Sequence, residues 1–396
     1  MARPLEGIRV LDLTWVLSGP YSTMILSDLG AEVIKVERRI IGDVSRGNGP
    51  YVNGISTYFF SINRGKKSMT LDLRSAKGKE ILLQFVKRVD VLTENFVPGT
   101  LENLGLGYET LREHNPGLIY AATSGFGKTG AEATKPAFDI IAQARSGMMS
   151  ITGEEGGRPV RSGVSIGDIA AGLYMTIGIL AAIHERSKTG LGQMIDISML
   201  DCQIAIMENA FIRYLNLGEV PRALGTRHPV ITPFQAFPTK DRGIVIAMGG
   251  GYSRWDLFCA AIDRIDLIDD ERFQSNVLRN NHVAELEPII SEALLRKTTD
   301  EWMVEFEAIG LSCSRINSLV EAAEDPQILS RQMFAEVPVE GVGTMRIVNT
   351  PIKMSRTPCS VEKRAPNLGE HTRELLMEFL DLSESEVDAL VMEEVI

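Results

Sequence analysis

The chain has 396 residues, more than one hydrophobic core ordinarily organises, so domain sizes of roughly 100 to 200 residues lead us to expect two lobes. Lysine plus arginine numbers 41 against 52 aspartate plus glutamate, a formal net charge of −11, which argues against an electrostatic grip on nucleic acid. At 44 % hydrophobic and 23 % charged residues the composition is that of a globular protein and excludes disordered and collagen-like chains.

The opening MARPLEGIRVLDL has no basic flank followed by an apolar run, so no export signal is expected. Residues 8–15 then read as a buried strand, 21–29 as a helix after the Gly19-Pro20 break, and 31–37 as a second strand. The alternation recurs: a strand at 69–73, a helix from Ser75 to Val89, a strand at VLTENF, helical turns near 100–113 and a strand at LIYAATS. Strands alternating with helices predict an α/β fold with a parallel sheet covered on both faces. A long helix from Asp168 to about Lys188 follows, its small residues suited to close packing. The longest apolar-rich stretch, Ile169 to Ile183, is shorter than the roughly 20 residues of a membrane span, and a cytoplasmic protein is expected. A second helical stretch covers 199–216, and Pro221, Pro229 and Pro233 mark a crossing into a smaller α+β lobe. That lobe carries a strand pair (FQAFPT, GIVIAMG) and helices around 254–262, 283–296 and 299–309. Another crossing follows Asp325-Pro326, then strands near 335 and 345 and a terminal helix from Glu370. Cys202, Cys259, Cys313 and Cys359 show no CxxC spacing, which fits a reducing compartment, and the five histidines show no ligand spacing, so no metal site is expected.

Three short patterns carry chemistry. Gly125 to Gly130 matches GxGxxG after a strand, but Pro136 spoils the helix a pyrophosphate loop must enter, and a flexible glycine loop is the simpler reading. Gly163 to Gly167 matches the GxSxG nucleophile elbow with Ser165, and His371 is an available base, yet the residues before it (GGRPVRS) make a poor strand. Asp168, at the start of the long helix, reads first as an N-cap. The helix amides and macrodipole at that position also favour an ionised carboxylate, and a carboxylate near a glycine loop is a covalent nucleophile in waiting.

PLEGIRVLDL, AEVIKVER with Gly42-Asp43, NRGKKSMTLDL, TENFVPG, the Gly163–Gly172 segment, KTGLGQMIDISM, RHPVITPF, DPQIL and APNLGEHT together resemble the class III CoA-transferases, the group that includes formyl-CoA transferase, carnitine CoA-transferase and α-methylacyl-CoA racemase. The resemblance runs from about residue 4 to the C-terminus. It implies a Rossmann-like large lobe built from both chain ends (1–215 and 331–396), a small α+β lobe between (225–330), and an interlocked, ring-like homodimer. It also implies that Asp168 attacks the thioester of an acyl-CoA to give an acyl-aspartyl anhydride, and that CoA then passes through an aspartyl-CoA thioester to a carboxylic acid, with succinyl-CoA a possible donor. CoA is then a co-substrate, with no further cofactor, metal, nucleic acid or membrane.

By the same matching Val16, Arg38, Leu71, Arg74, Asn95, Phe96 and Lys135 are CoA contacts, the two arginines suiting phosphates because a guanidinium pairs with oxyanions. Trp15 and Leu17 stand where formyl-CoA transferase has His and Gln, and Asn103 where it has Arg. The resulting apolar pocket, with only Gly249-Gly250-Gly251 in place of a GGGGQ loop, weakens oxalate as acceptor. Arg46 and Arg161 are candidate partners for the free carboxylate of a dicarboxylate. The racemase branch needs a histidine where this chain has Phe138, followed by Asp139; a phenyl ring moves no proton, so the transferase is preferred over an α-methylacyl-CoA racemase. A GxSxG serine hydrolase and a non-catalytic CoA-binding subunit are the two remaining readings.

Overall fold

The computed structural model describes residues 3–249, 254–359, 361 and 363–396. Six strands form one all-parallel sheet: β1 (Arg9–Asp12), β2 (Glu32–Glu37), β3 (Lys67–Thr70), β4 (Val91–Glu94), β5 (Ile119–Ser124) and β6 (Met194–Ser198). Their order is β3-β2-β1-β4-β5-β6, so the direction of winding reverses between β1 and β4. The two-residue period of the strands sorts their side chains onto two cores. Leu11, Ile34, Met69, Leu92 and Tyr120 face one way. Val10, Val33, Val91, Ile119 and Ala121 face the other.

Helices cover both faces. Four of them matter for the site: α1 (Ser18–Asp28), α2 (Ala76–Val86), α3 (Asp139–Ser146) and α4 (Ile166–Thr189). Ile81, Leu82 and Phe85 of α2 pack on the first core together with Leu375, Phe379 and Leu390 from the C-terminal helices Thr372–Leu380 and Glu384–Met392. The second core takes Leu26 of α1 and Met175, Ile179 and Ala182 of α4. The C-terminal segment, read as one helix, is thus two helices that complete the core of a sheet begun at the other end of the chain.

Among the described residues, one compact unit takes the chain up to Met149, Arg161–Val220 and Leu329 onward; the other takes Ser150–Val160 and Pro221–Ile328. The excursion at 150–160 is a difference from the lobe bounds read from sequence. The second unit has its own antiparallel sheet, with Gly243–Ala247 between Phe234–Pro238 and Ser312–Arg315. Its core gathers Phe258, Trp302 and Phe306.

Other expectations need correction. Strand β6 was not expected, because MIDIS on a sheet edge alternates only weakly in burial. The stretch 199–216 is two helices, Met199–Ile206 and Glu208–Leu217, parted at Met207. Helix α4 has 24 residues and is long and apolar enough to cross a membrane by length and composition, contrary to the shorter stretch counted in the sequence. Here it is a core helix of the sheet unit: a Cβ on Gly172 would lie 2.8 Å from the Ser18 carbonyl oxygen, so glycine lets α4 close directly onto the start of α1. Ser22 and Thr176 hydroxyls, 3.0 Å apart, bridge the same two helices.

Candidate active site

In a doubly wound sheet ligands bind outside the carboxyl ends of the strands where the winding reverses. A cleft of about 220 Å³ lies there, lined by Trp15 after β1, Arg38 after β2, Arg74 after β3 and Phe96 after β4, with Lys35 and Asp43 in its bed. Trp15 and Phe96 pair at 6.1 Å between ring centroids, and the Arg38 guanidinium lies 5.5 Å from the Trp15 ring. Arg38 and Arg74 are exposed and have no carboxylate partner among the described residues, so they are open to an anionic ligand. Two larger cavities, of about 330 and 310 Å³, lie away from these strand ends and are lined by committed charges such as Arg64, paired with Asp28, and Arg46.

Beneath the cleft the charges are paired and buried. Asp12 binds Lys66 at 3.0 Å and Asp43 binds Lys35 at 2.9 Å. Glu37 receives both ends of the Arg46 guanidinium, at 2.7 and 2.8 Å. Burial opposes ionisation of Asp12, yet Lys66, Lys35 and hydroxyl donors outweigh it and hold the carboxyl well below its ordinary range.

Asp168 lies in the first turn of α4, but Ser165 is the residue that precedes the helix. The capping role expected of Asp168 falls to Asp139 of α3, whose Oδ1 accepts the Gly167 N–H at 2.7 Å and whose Oδ2 accepts from Gln143. Gly167 has no room for a side chain, since a Cβ would meet Gln203 Nε2 at 2.4 Å and Asp139 Oδ1 at 3.0 Å. The expectation of a carboxylate held ionised by the helix is also corrected. Burial first, then the nearby Asp139 charge, push the Asp168 carboxyl up to about 7. Among the described residues no lysine or arginine offsets these two effects, and the resulting group is a water-poor, basic carboxylate, half in each state near neutral pH. Tyr58, raised to about 12 by burial and by the charges of Asp168 and then Asp43, feels both the α4 carboxylate and the bed of the cleft. Sequence reasoning missed it: in TYFFSI its hydroxyl is one of three in a short helix, with no spacing that marks it.

Of the residues matched by resemblance, the structure brings Trp15, Arg38, Arg74 and Phe96 together in one cleft. It does not do so for the rest. The Leu71 side chain is buried in the core. Both amide atoms of Asn95 are consumed by Trp15, Oδ1 accepting the Trp15 N–H at 2.9 Å and Nδ2 donating to its carbonyl at 2.7 Å. Val16 and Leu17 form the turn into α1, Val16 at φ 64°. Lys135 is exposed and paired with Glu132 at 2.8 Å. Arg46, besides its bond to Glu37, stacks 3.7 Å from the Phe59 ring, so it is not free for a substrate carboxylate. Phe138, 75 % exposed, immediately precedes α3.

The two decoy motifs also resolve. No strand precedes Ser165, and His371 Nδ1 accepts the Ser68 N–H at 3.2 Å, so the strand, serine, helix geometry of a hydrolase elbow is missing. No helix follows Gly130 until Asp139, which removes the pyrophosphate reading. Gly249 lies two residues beyond the strand Gly243–Ala247 of the second unit, and Gly250 and Gly251 lie outside the described residues. Among the described residues no cluster of His, Cys, Asp or Glu has the makings of a metal site.

A family model described as CoA-transferase family III matches residues 5–372. The Mus musculus protein named succinyl-CoA:glutarate CoA-transferase is 40 % identical over 395 residues, spanning 100 % of this chain and 90 % of its own. The Acetobacter aceti protein named acetyl-CoA:oxalate CoA-transferase is 38 % identical over 378 residues, spanning 95 % and 96 %. A solved CAIB/BAIF family protein from Brucella suis, 35 % identical, superposes with a TM-score of 0.84 over 96 % of this chain and 100 % of that one. Sheet, cleft and relatives define an α/β enzyme that transfers CoA. The chain belongs to CoA-transferase family III.

Proposed function

We propose that the enzyme moves CoA from an acyl-CoA, with succinyl-CoA the favoured donor, to a dicarboxylic acid through covalent intermediates on Asp168. The observation that carries this is the half-buried, basic Asp168 carboxylate in the first turn of α4, together with a cleft at the strand ends that holds two arginines free of carboxylate partners. In the first step an Asp168 oxygen bonds to the thioester carbonyl carbon, the C–S bond breaks and CoA leaves as thiolate, giving a mixed anhydride. The thiolate then attacks the Asp168 carbonyl, releasing the donor acid and leaving an aspartyl-CoA thioester. An acceptor carboxylate repeats the sequence in reverse and restores Asp168. Arg38 and Arg74 hold CoA phosphates, and the Trp15 and Phe96 rings line the wall.

The apolar Trp15 wall and the 40 % identical relative named for succinyl-CoA and glutarate support a longer dicarboxylate over oxalate. With Arg46 committed to Glu37, Arg161 is the remaining candidate for the free carboxylate; it is partly exposed and 3.7 Å from Asp139. We further propose a cytoplasmic enzyme with a Rossmann-like large lobe that forms an interlocked homodimer; the exposed apolar residues Leu173 and Ile177 of α4, with Leu215 and Leu217, support the second subunit alone.

Incubation with succinyl-CoA and hydroxylamine is expected to modify Asp168 and to leave Asp168→Ala untouched. A panel of carboxylic acids, oxalate and glutarate among them, read by mass spectrometry, identifies the acceptor. Deuterium exchange at Cα of a 2-methylacyl-CoA without CoA transfer would overturn the proposal in favour of a racemase, fluorophosphonate labelling of Ser165 in favour of a hydrolase, and CoA binding without turnover of any acid in favour of a silent subunit.

A further inference from the structure

We infer that Asn95 and Asp43 are positioning residues that hold the Thr14–Leu17 turn in a strained shape at the cleft and do not themselves touch substrate. Val16 sits at φ 64°, a region that a β-branched residue almost never adopts. Such strain persists only where the surroundings over-determine it, and it gathers at functional sites.

Here the surroundings do so with side chains. Asp12 Oδ1 accepts the Thr14 N–H at 2.9 Å, and Lys35 Nζ donates to the Thr14 carbonyl at 2.7 Å. Asn95 takes both the N–H and the carbonyl of Trp15, at 2.9 and 2.7 Å. Asp43 Oδ1 accepts the Val16 N–H at 3.2 Å, while its other oxygen holds Lys35. Every backbone polar group from Thr14 N–H to Val16 N–H is thereby bound by a side chain, drawn from the ends of β1 and β4, from within β2 and from the loop that follows it. Asp43 is buried, and the Asn95 amide is engaged by the Trp15 N–H and carbonyl, with Nδ2 also 3.4 Å from Ser18 Oγ, so both side chains are turned to the Thr14–Leu17 turn. What the clamp fixes is Trp15, whose ring lines the cleft between Phe96 and Arg38. A turn that relaxed to negative φ at Val16 would re-aim that ring.

The kinetic readout rests on the CoA-transfer reading; the thermal readout does not. Glycine adopts positive φ without a steric penalty, so Val16→Gly keeps the turn's shape while removing its strain. Wild type, Asn95→Ala, Val16→Gly and the double variant are compared with succinyl-CoA and an acid the wild type accepts. Asn95→Ala is expected to lower kcat about tenfold with the KM for succinyl-CoA changed less than about threefold, and the double variant to recover most of the loss. Asn95→Asp, which keeps the acceptor and loses the donor, falls between and serves if Asn95→Ala does not fold. A raised KM with kcat retained, or no recovery in the double variant, overturns the clamp. Should the wild type transfer CoA to no acid, the CoA reading fails on its own; the clamp is then judged by Tm, which Asn95→Ala must lower and Val16→Gly restore, and an unrestored Tm sinks it.

Discussion

Two acidic regions of the same unit behave in opposite ways. Asp12, Glu37 and Asp43 are more deeply buried than Asp168, yet their carboxyls are held below the ordinary range, while that of Asp168 is pushed up to about 7. Burial penalises ionisation in both places. The difference is partnership: Lys66, Lys35 and Arg46 face the first set, whereas Asp168 meets another carboxylate, Asp139. The paired region can only be a scaffold, because its charges are spent on one another. The proposed nucleophile is the carboxylate that folding leaves beside another acid and no cation among the described residues.

Removing Asp168 is the severest way to break the contrast. Asp168→Ala is expected to lower kcat by about 10³-fold or more in a CoA-transfer assay, as loss of a covalent nucleophile does. In the scaffold, Lys66→Met should destabilise by about 3–5 kcal/mol in chemical denaturation, because it strands a fully buried Asp12, and Lys66→Met/Asp12→Leu should recover much of that. The pH dependence sharpens the comparison. A carboxyl raised from 3.8 to about 7 on folding contributes stability that is whole below the unfolded value and is lost as pH rises toward 7. Asp168→Asn removes this loss, so its advantage over wild type in unfolding free energy, read by chemical denaturation, should grow from pH 4 to pH 7 and then level off, reaching about 2–4 kcal/mol. A constant advantage at all pH values would show that Asp168 ionises freely. Arg38→Ala and Arg74→Ala should each raise the KM for acyl-CoA about tenfold with kcat retained, in contrast to Arg46→Ala, which should lower Tm and leave KM alone. Smallest of all, Lys135→Ala is expected to change neither.

The strand and helix alternation of the sheet unit was legible because a buried parallel strand is an apolar run and its covering helix has a one-sided pattern. The weakly alternating edge strand Met194–Ser198 and the polar strand Ser312–Arg315 lacked that signal. In the candidate site, Arg38, Arg74, Trp15 and Phe96 were legible by resemblance, and strand ends place them together. At Arg46 and Asn95 the residue types suit a ligand, but the side-chain partners, Glu37 and the Trp15 backbone, are brought to them only by folding. The burial of the Leu71 side chain was not legible, because a strand-end residue faces cleft or core according to a register that a single strand does not reveal.

By itself the sequence determined the class of fold, the family to which the chain belongs and the carboxylate at the start of the long helix, since these depend on local periodicity and on the order of residues along the chain. Only the tertiary structure decided which charges are spent and which are available. Capping by Asp139 rather than Asp168, the Asp12–Lys66 pair beneath the cleft and the bonds from Asn95 and Asp43 to the Trp15–Val16 backbone all join residues far apart in the chain. The state of a buried charge is set by what folding places beside it, and residue type alone carries no record of that neighbour.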